Sequence, residues 1–304
     1  MSLLEVEELR LSYDHGETEA LKGLTFTVEE GELFGVVGPD GAGKTTLIQI
    51  LVGLKSFQGR AVFQGRELSR GAPFLRRSVG YISQRFSLYQ DLSVLENVQF
   101  FGGLYPQDER TQNADELLEF IGLGPFKKRL ASALSGGMKQ KLALVCALIH
   151  GPELLLMDEP TVGVDPVSRR EFWTLLFQLQ SQGLTVISST PYMDEAEQFD
   201  RVGLLNEGEF LQLGTVAELK ESVSGSVLRV YSPDPPATRR EVRDFEYVTD
   251  AQLFGDRVHV IVQGDPSVRR QELASKLDLP LEEIEFAEFS VEDIFLQKTA
   301  VPHG

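Results

Sequence analysis

Short apolar runs bounded by turn residues open the chain. Residues 4–11 and 24–28 alternate apolar and polar positions in the manner of half-buried strands, punctuated by Asp14-His15-Gly16 and Glu30-Gly31. Leu33-Phe34-Gly35-Val36-Val37 is a compact apolar strand, and helical spacing follows over 47–54. From about 92 to 148 the pattern is mainly helical, clearest over 94–101 and 115–121. Residues 154–157 form a second fully apolar strand, followed by a predicted helix over 168–182 and a strand over 185–188. Strands alternating with helices predict a parallel α/β core. After Leu219 the pattern changes. Strands are predicted over 227–231, 257–262 and 284–289, helices over 238–245 and 266–277, and a hairpin turn at Phe254-Gly255-Asp256. The order β-α-β-β-α-β predicts a split βαβ module, ferredoxin-like, entered through Pro233, Pro235 and Pro236. We therefore divide the chain into residues 1–219 and 220–304.

Composition narrows the function classes. A chain of 304 residues has room for a large domain and a smaller one. Its net charge of −17 argues against a broad nucleic-acid footprint and against electrostatic adhesion to anionic lipid, both of which need a basic face. Lys127-Lys128-Arg129 is too short a basic run to reverse that. The single cysteine, Cys146, rules out an intramolecular disulfide and sits in an apolar run (142–149) that predicts a buried thiol. No apolar stretch approaches the roughly 20 residues of a membrane span, and the opening residues lack the basic flank and apolar core of a signal peptide. The expectation is a cytoplasmic chain that reaches a membrane only through a partner.

The first chemical motif is Gly38-Pro39-Asp40-Gly41-Ala42-Gly43-Lys44-Thr45-Thr46, whose residues 38–45 match G-x-x-x-x-G-K-[ST] in full. Glycines let the backbone curl so that its N–H groups face an anion at a helix N-terminus. Lys44 is placed to reach the β- and γ-phosphates of a nucleoside triphosphate, and the Thr45 hydroxyl to ligate Mg²⁺. Such a site needs acids at a neighbouring strand end. Asp158 and Glu159 follow the strand at 154–157 directly: Asp158 is the expected Mg²⁺ ligand and Glu159 the candidate general base for an attacking water.

Leu134-Ser135-Gly136-Gly137-Met138, about twenty residues before this acid pair, resembles the signature motif of ATP-binding cassette (ABC) ATPases. With the marks that follow, the resemblance covers residues 3–220. It implies a P-loop NTPase fold, with a RecA-like parallel core, an antiparallel β subdomain and a helical signature subdomain. It implies a head-to-tail dimer with a second cassette, identical or different, in which Ser135, Gly136 and Gly137 face ATP held by the partner. Tyr13 stands where the family stacks an aromatic ring on adenine, although ordinary packing also suits it. Gln84 matches the glutamine that senses Mg²⁺ and the attacking water, and Asp165 the loop that crosses to the partner.

Two positions depart from the family pattern. Met138 replaces a common glutamine at a position that faces away from phosphate. Pro191 stands where the family carries the switch histidine that bonds the γ-phosphate. Proline has no side-chain donor and no N–H, so it cannot take that role; Ser189, Thr190 and Tyr192 are the neighbouring substitutes. The resemblance therefore implies a site that is slow or degenerate, while its signature still completes the partner's.

The phosphate loop, Ser135–Leu142 and the acidic stretch 193–197 are most similar to ABC-2-type export ATPases, in particular a multidrug-efflux subgroup. That implies a separate polytopic permease and a location on the inner face of the cell membrane. Phe86-Ser87-Leu88-Tyr89 lies where transport cassettes receive the permease's coupling helix; core packing is the alternative. Ser290–Leu296 resembles the closing segment of such cassettes and predicts an amphipathic helix docking Val291, Ile294 and Phe295. The C-terminal module is expected to serve dimerisation or regulation, or to pack passively. Two rival functions stay open: a soluble ABC protein outside transport, and a nucleotide-binding scaffold without turnover.

Overall fold

The structure, a computed structural model, describes residues 2–13, 18–84, 88–106 and 111–299. The chain divides into two compact units, Met1–Gly214 and Thr215–Gly304.

The first unit holds two sheets. Strands β1 (Ser2–Tyr13), β2 (Thr18–Glu29), β4 (Gln58–Phe63) and β5 (Arg66–Glu67) form an antiparallel sheet in the order β2-β1-β4-β5. Strands β3 (Leu33–Val37), β6 (Val79–Ile82), β7 (Leu154–Asp158), β8 (Thr185–Thr190), β9 (Arg201–Asn206) and β10 (Glu209–Gly214) form the second, in the order β10-β9-β3-β8-β7-β6. It is parallel except for β10, which returns as a hairpin on β9. Every residue of β3 and β7 is buried, which is why both read as unbroken apolar runs. Helix α1 (Lys44–Leu51) packs Leu47 and Ile48 into a core shared by both sheets, where Phe26 of β2 stacks on Phe34 of β3 at 5.4 Å.

After the short helix α2 (Leu75–Ser78), helices α3 (Val94–Gly102), α4 (Ala114–Phe120) and α5 (Gly136–Leu148) build a separate apolar cluster around Val98, Leu118, Leu142 and Val145. Cys146 is buried there, and burial pushes its thiol far above the ordinary range. Helix α6 (Pro166–Ser181) leads back to β8.

In the second unit, α7 (Val216–Glu221) precedes β11 (Ser226–Tyr231), α8 (Pro235–Val242), β12 (Val248–Phe254), β13 (Arg257–Val262), α9 (Pro266–Leu277), β14 (Ile284–Ala287) and α10 (Val291–Thr299). The sheet is antiparallel in the order β12-β13-β11-β14, which is the split βαβ arrangement. Leu228, Val230, Val258 and Val260 pack with Val242 of α8 and Leu273 of α9. His259 alternates with Val258 and Val260 and so points to the other face, where its Nδ1 lies 3.1 Å from an Asp293 carboxylate oxygen of α10. Val291, Ile294 and Phe295 of α10 are buried. The division falls after Gly214, five residues before the change of pattern at Leu219. Leu219 is fully buried on α7, and α7 packs against α10, so its apolar side chain serves the second unit's core.

Candidate nucleotide site

The site begins where β3 ends. Gly38 donates its N–H to Thr190 O at 3.2 Å, and a Cβ at Gly38 would stand 2.1 Å from Leu205 O. Only glycine fits against that carbonyl. Gly43, at φ +111°, turns the chain into α1 without any side-chain cap, so the first N–H groups of the helix stay open to an anion.

The acids arrive from β7. Asp158 is almost fully buried, and its Oδ1 accepts from Thr45 Oγ1 at 3.0 Å and Ser189 Oγ at 2.8 Å. Desolvation raises its carboxyl above the usual carboxylate range, against the pull of those two hydroxyls. Glu159 takes the left-handed conformation, φ +51°, and donates its N–H to Ser189 O and Oγ at 3.2 and 3.0 Å. That turn sends its carboxylate toward the phosphate loop. Oε1 lies 3.0 Å from Lys44 Nζ and Oε2 accepts from Gln84 Nε2 at 2.9 Å. Lys44 also donates to Gly38 O at 2.7 Å and Pro39 O at 2.9 Å.

Lys44, Thr45, Gln84, Asp158 and Glu159 thus form one hydrogen-bonded cluster, with Ser189 added to it. The sequence offered Ser189 only as a stand-in for a histidine; the structure puts its hydroxyl on Asp158 instead. Parallel β7–β8 pairing sets Ser189 beside Asp158, a relation that local sequence does not carry.

A cavity of about 390 Å³ opens over this cluster, lined by Tyr13, Gly41, Gly43, Lys44, Thr45 and Thr46, with Lys22 and Glu207 at its edge. Lys22 and Glu207 escaped the sequence reading because no motif marks them. Tyr13 places its hydroxyl 3.0 Å from Thr46 Oγ1, and Lys55 Nζ lies 4.7 Å from the centre of its ring. Asp40 and Ala42 belong to the same loop, and Ala42 N donates to Pro39 O.

Ser135, Gly136, Gly137 and Asp165 do not line that cavity. Ser135 caps α5, its Oγ accepting from Met138 N at 3.3 Å. Gly137 is pressed on α6: a Cβ there would meet Ser168 Cβ at 2.4 Å. Asp165 caps α6, accepting from Val167 N at 3.1 Å and Ser168 N at 3.0 Å, and those bonds hold its carboxyl below the usual range.

Beyond β8, the Thr190 hydroxyl is engaged with Glu195, and the Tyr192 ring faces the Arg169 guanidinium at 5.0 Å. Two of the three hydroxyls near Pro191, those of Ser189 and Thr190, are therefore committed to carboxylates of the protein.

A second cavity of about 390 Å³ is lined by Leu54, Leu75, Tyr81, Leu88, Phe101 and Cys146. Beside it Tyr89 packs edge-on against Phe100 at 4.6 Å, and both are exposed. Phe86 and Ser87, singled out with Leu88 and Tyr89 for docking, lie outside the described residues, as do Asp14, His15 and Gly16.

A family model for the ABC transporter domain matches residues 21–162. The linearmycin resistance ATP-binding protein LnrL of Bacillus subtilis strain 168 is 36% identical over 74% of this chain and 73% of its own length. The chain belongs to the ABC transporter family. As an ABC cassette it is an ATP-binding protein of an ATPase family. It is also 42% identical to YbhF of Escherichia coli strain K12, described as a probable multidrug ABC transporter ATP-binding protein, over 80% of this chain. The match covers 43% of YbhF, so the chain spans less than half of that relative. Among solved structures, the dimeric ABC cassette MJ0796 in a post-hydrolysis state with ADP and Pi superposes with a TM-score of 0.63 at 26% identity. The match covers 70% of this chain and 98% of that one.

Proposed function

We propose that this chain is the ATP-hydrolysing cassette of an ABC-2-type exporter, paired head-to-tail with a second cassette and driving a separate polytopic permease. The observation that carries the reading is the cluster itself. Glu159, on a strained turn, is held between Lys44 of the phosphate loop and Gln84, while Thr45 and Ser189 hold Asp158 beside it. Export is supported by the relatives' descriptions, and the placing of Ser135 and Asp165 away from their own chain's cavity suits a partner's ATP.

Thr45 and Asp158 offer a hydroxyl and a carboxylate from converging elements, with Gln84 nearby. That oxygen donor set would hold Mg²⁺, which when bound would supply charge neutralisation at the phosphates. Lys44 then exchanges the carbonyls of Gly38 and Pro39 for phosphate oxygens, the open amides of α1 hold the anion, and Glu159 is released to take a proton from water. Hydrolysis breaks the bond between the γ-phosphorus and its bridging oxygen, and departure of the product as inorganic phosphate removes the bridge between the two cassettes, so the dimer reopens.

The apolar cavity beside Tyr89 and Phe100 is the surface for the permease's coupling helix, where exposed apolar side chains suit helix-in-groove binding. No helix among the described residues is long and apolar enough to cross a membrane. The cassette would work in the cytoplasm, peripheral on the inner face of the cell membrane.

Pro191 favours a second reading, a cassette that binds ATP without turning it over. Steady-state Mg-ATPase of the chain against Glu159→Gln separates the two. Turnover above that blank supports the first; equal rates with ATP still bound support the second, or a working site that needs another cassette.

A further inference from the structure

One buried carboxylate of the first unit has no role in the phosphate site. Glu195 lies in the short 3₁₀ helix Met193–Gln198 that follows Pro191, 3% exposed, and its two oxygens collect donors from three segments. Oε1 accepts from Thr161 Oγ1 at 2.7 Å and from Trp173 Nε1 at 3.1 Å, with Arg169 Nη1 at 3.8 Å. Oε2 accepts from Thr190 Oγ1 at 2.5 Å, and that oxygen accepts in turn from Tyr192 N at 3.1 Å. A buried anion so fully satisfied is expensive to disturb, so it fixes whatever its donors are attached to.

Thr161 sits in the loop between Glu159 and Asp165. Arg169 and Trp173 belong to α6, which Asp165 caps. Thr190 ends β8, next to Ser189. The Glu159 N–H bonds to Ser189 join the 159–165 loop and the 190–195 loop at their roots. Glu195 joins them again farther along and ties both to α6.

We propose that Glu195 is a positioning residue for hydrolysis. It keeps Glu159 and Asp165 in fixed relation to the Pro191 turn, in a chain where residue 191 contributes no donor of its own. Glu195 touches no reacting atom; it acts through Thr161, Thr190 and α6. This rests on the ATPase reading above.

Thr161→Val and Thr190→Val each delete one donor while keeping a similar shape. Glu195→Gln keeps an acceptor for Thr161 and Trp173, and its amide can donate to Thr190. None of these side chains lies in the phosphate loop. The expected result is an ATP Kd and KM within about twofold of the unsubstituted chain in all three variants. In the valine variants kcat falls about tenfold or more, the scale of one lost bond to a buried charge, while Glu195→Gln stays within about threefold.

Hydrogen exchange gives a readout that does not need turnover. Replacing either threonine should speed exchange in both loops, 161–165 and 190–195, by about tenfold. Faster exchange confined to the substituted loop overturns the proposal, as do valine variants with unchanged kcat or a loss seen only in KM. Absence of turnover in the unsubstituted chain counts against the ATPase reading alone, and exchange then decides the positioning role.

Discussion

Removing the Ser189 hydroxyl deletes two bonds, of which only the one to Asp158 should depend on the charge of its acceptor. In Ser189→Ala, Asp158 Oδ1 loses a 2.8 Å donor and keeps Thr45, while the Glu159 N–H loses its 3.0 Å Oγ acceptor and keeps the residue-189 carbonyl, a cost common to every pH. A bond to a buried charged group contributes about 1.5–3 kcal/mol and a neutral pair about 1 kcal/mol. Desolvation, only partly offset by its hydroxyl donors, leaves the folded-state pKa of Asp158 above its unfolded value. The folded state therefore holds this proton more tightly, and the chain loses stability as pH rises through the folded pKa. The alanine variant raises that pKa further. Its deficit against the unsubstituted chain is then about 2 kcal/mol at neutral pH and shrinks to about 1 kcal/mol once acid has protonated Asp158 in both proteins. For a unit of this size the neutral deficit is a drop of about 4–8 °C in Tm. Trp173 is the only tryptophan and is buried in the first unit, so its fluorescence reports that unit's unfolding alone. Melts of both proteins over a pH series, from about 7 down to the lowest pH at which both stay folded, decide the matter. A deficit constant across the series would falsify the charge-dependent account; one below about 0.5 kcal/mol at neutral pH would show that Ser189 is not holding Asp158 at all.

Gly137→Ala should destabilise by about 1–3 kcal/mol by driving a methyl into Ser168, and Ser168→Gly in the same chain should recover most of it, since the clash is with that side chain. Pro191→His should raise steady-state Mg-ATPase if a missing donor limits turnover; an unchanged rate assigns the limit elsewhere. In the second unit, burial raises the Asp293 carboxyl, but bonds from His259 and Ser290 outweigh it and leave the group below its ordinary pKa. Its stabilising contribution is therefore present above the unfolded pKa and lost as pH falls through the lower folded one. Asp293→Ala should cost about 2 kcal/mol at neutral pH and show first as faster hydrogen exchange over α10.

The parts of this protein visible in its sequence are those whose cause is local. The phosphate loop is written in nine consecutive residues because backbone conformation and helix polarity do the binding. β3 and β7 stand out because both faces of each are covered. β4 and β5 do not: the first three residues of β4 and both of β5 are exposed, so no apolar period marks them. The links that organise the site run across the fold. Ser189 meets Asp158 through strand pairing, and Gly137 meets Ser168 through helix contact. Glu195, in an acidic stretch marked in the sequence only by its family resemblance, accepts bonds from three segments that converge only in space.

Glu159 carries one further implication. A non-glycine residue in the left-handed region costs about 1–2 kcal/mol, and here the same side chain is also a buried carboxylate. Glycine at that position would remove the backbone cost together with the base, and would also leave the buried Lys44 ammonium without its anionic partner. Breaking a buried ion pair costs about 3–5 kcal/mol, more than the strain relieved, so loss of the base is not a downhill step for this fold. The ion pair that holds the base ready is also what makes its strained backbone worth keeping.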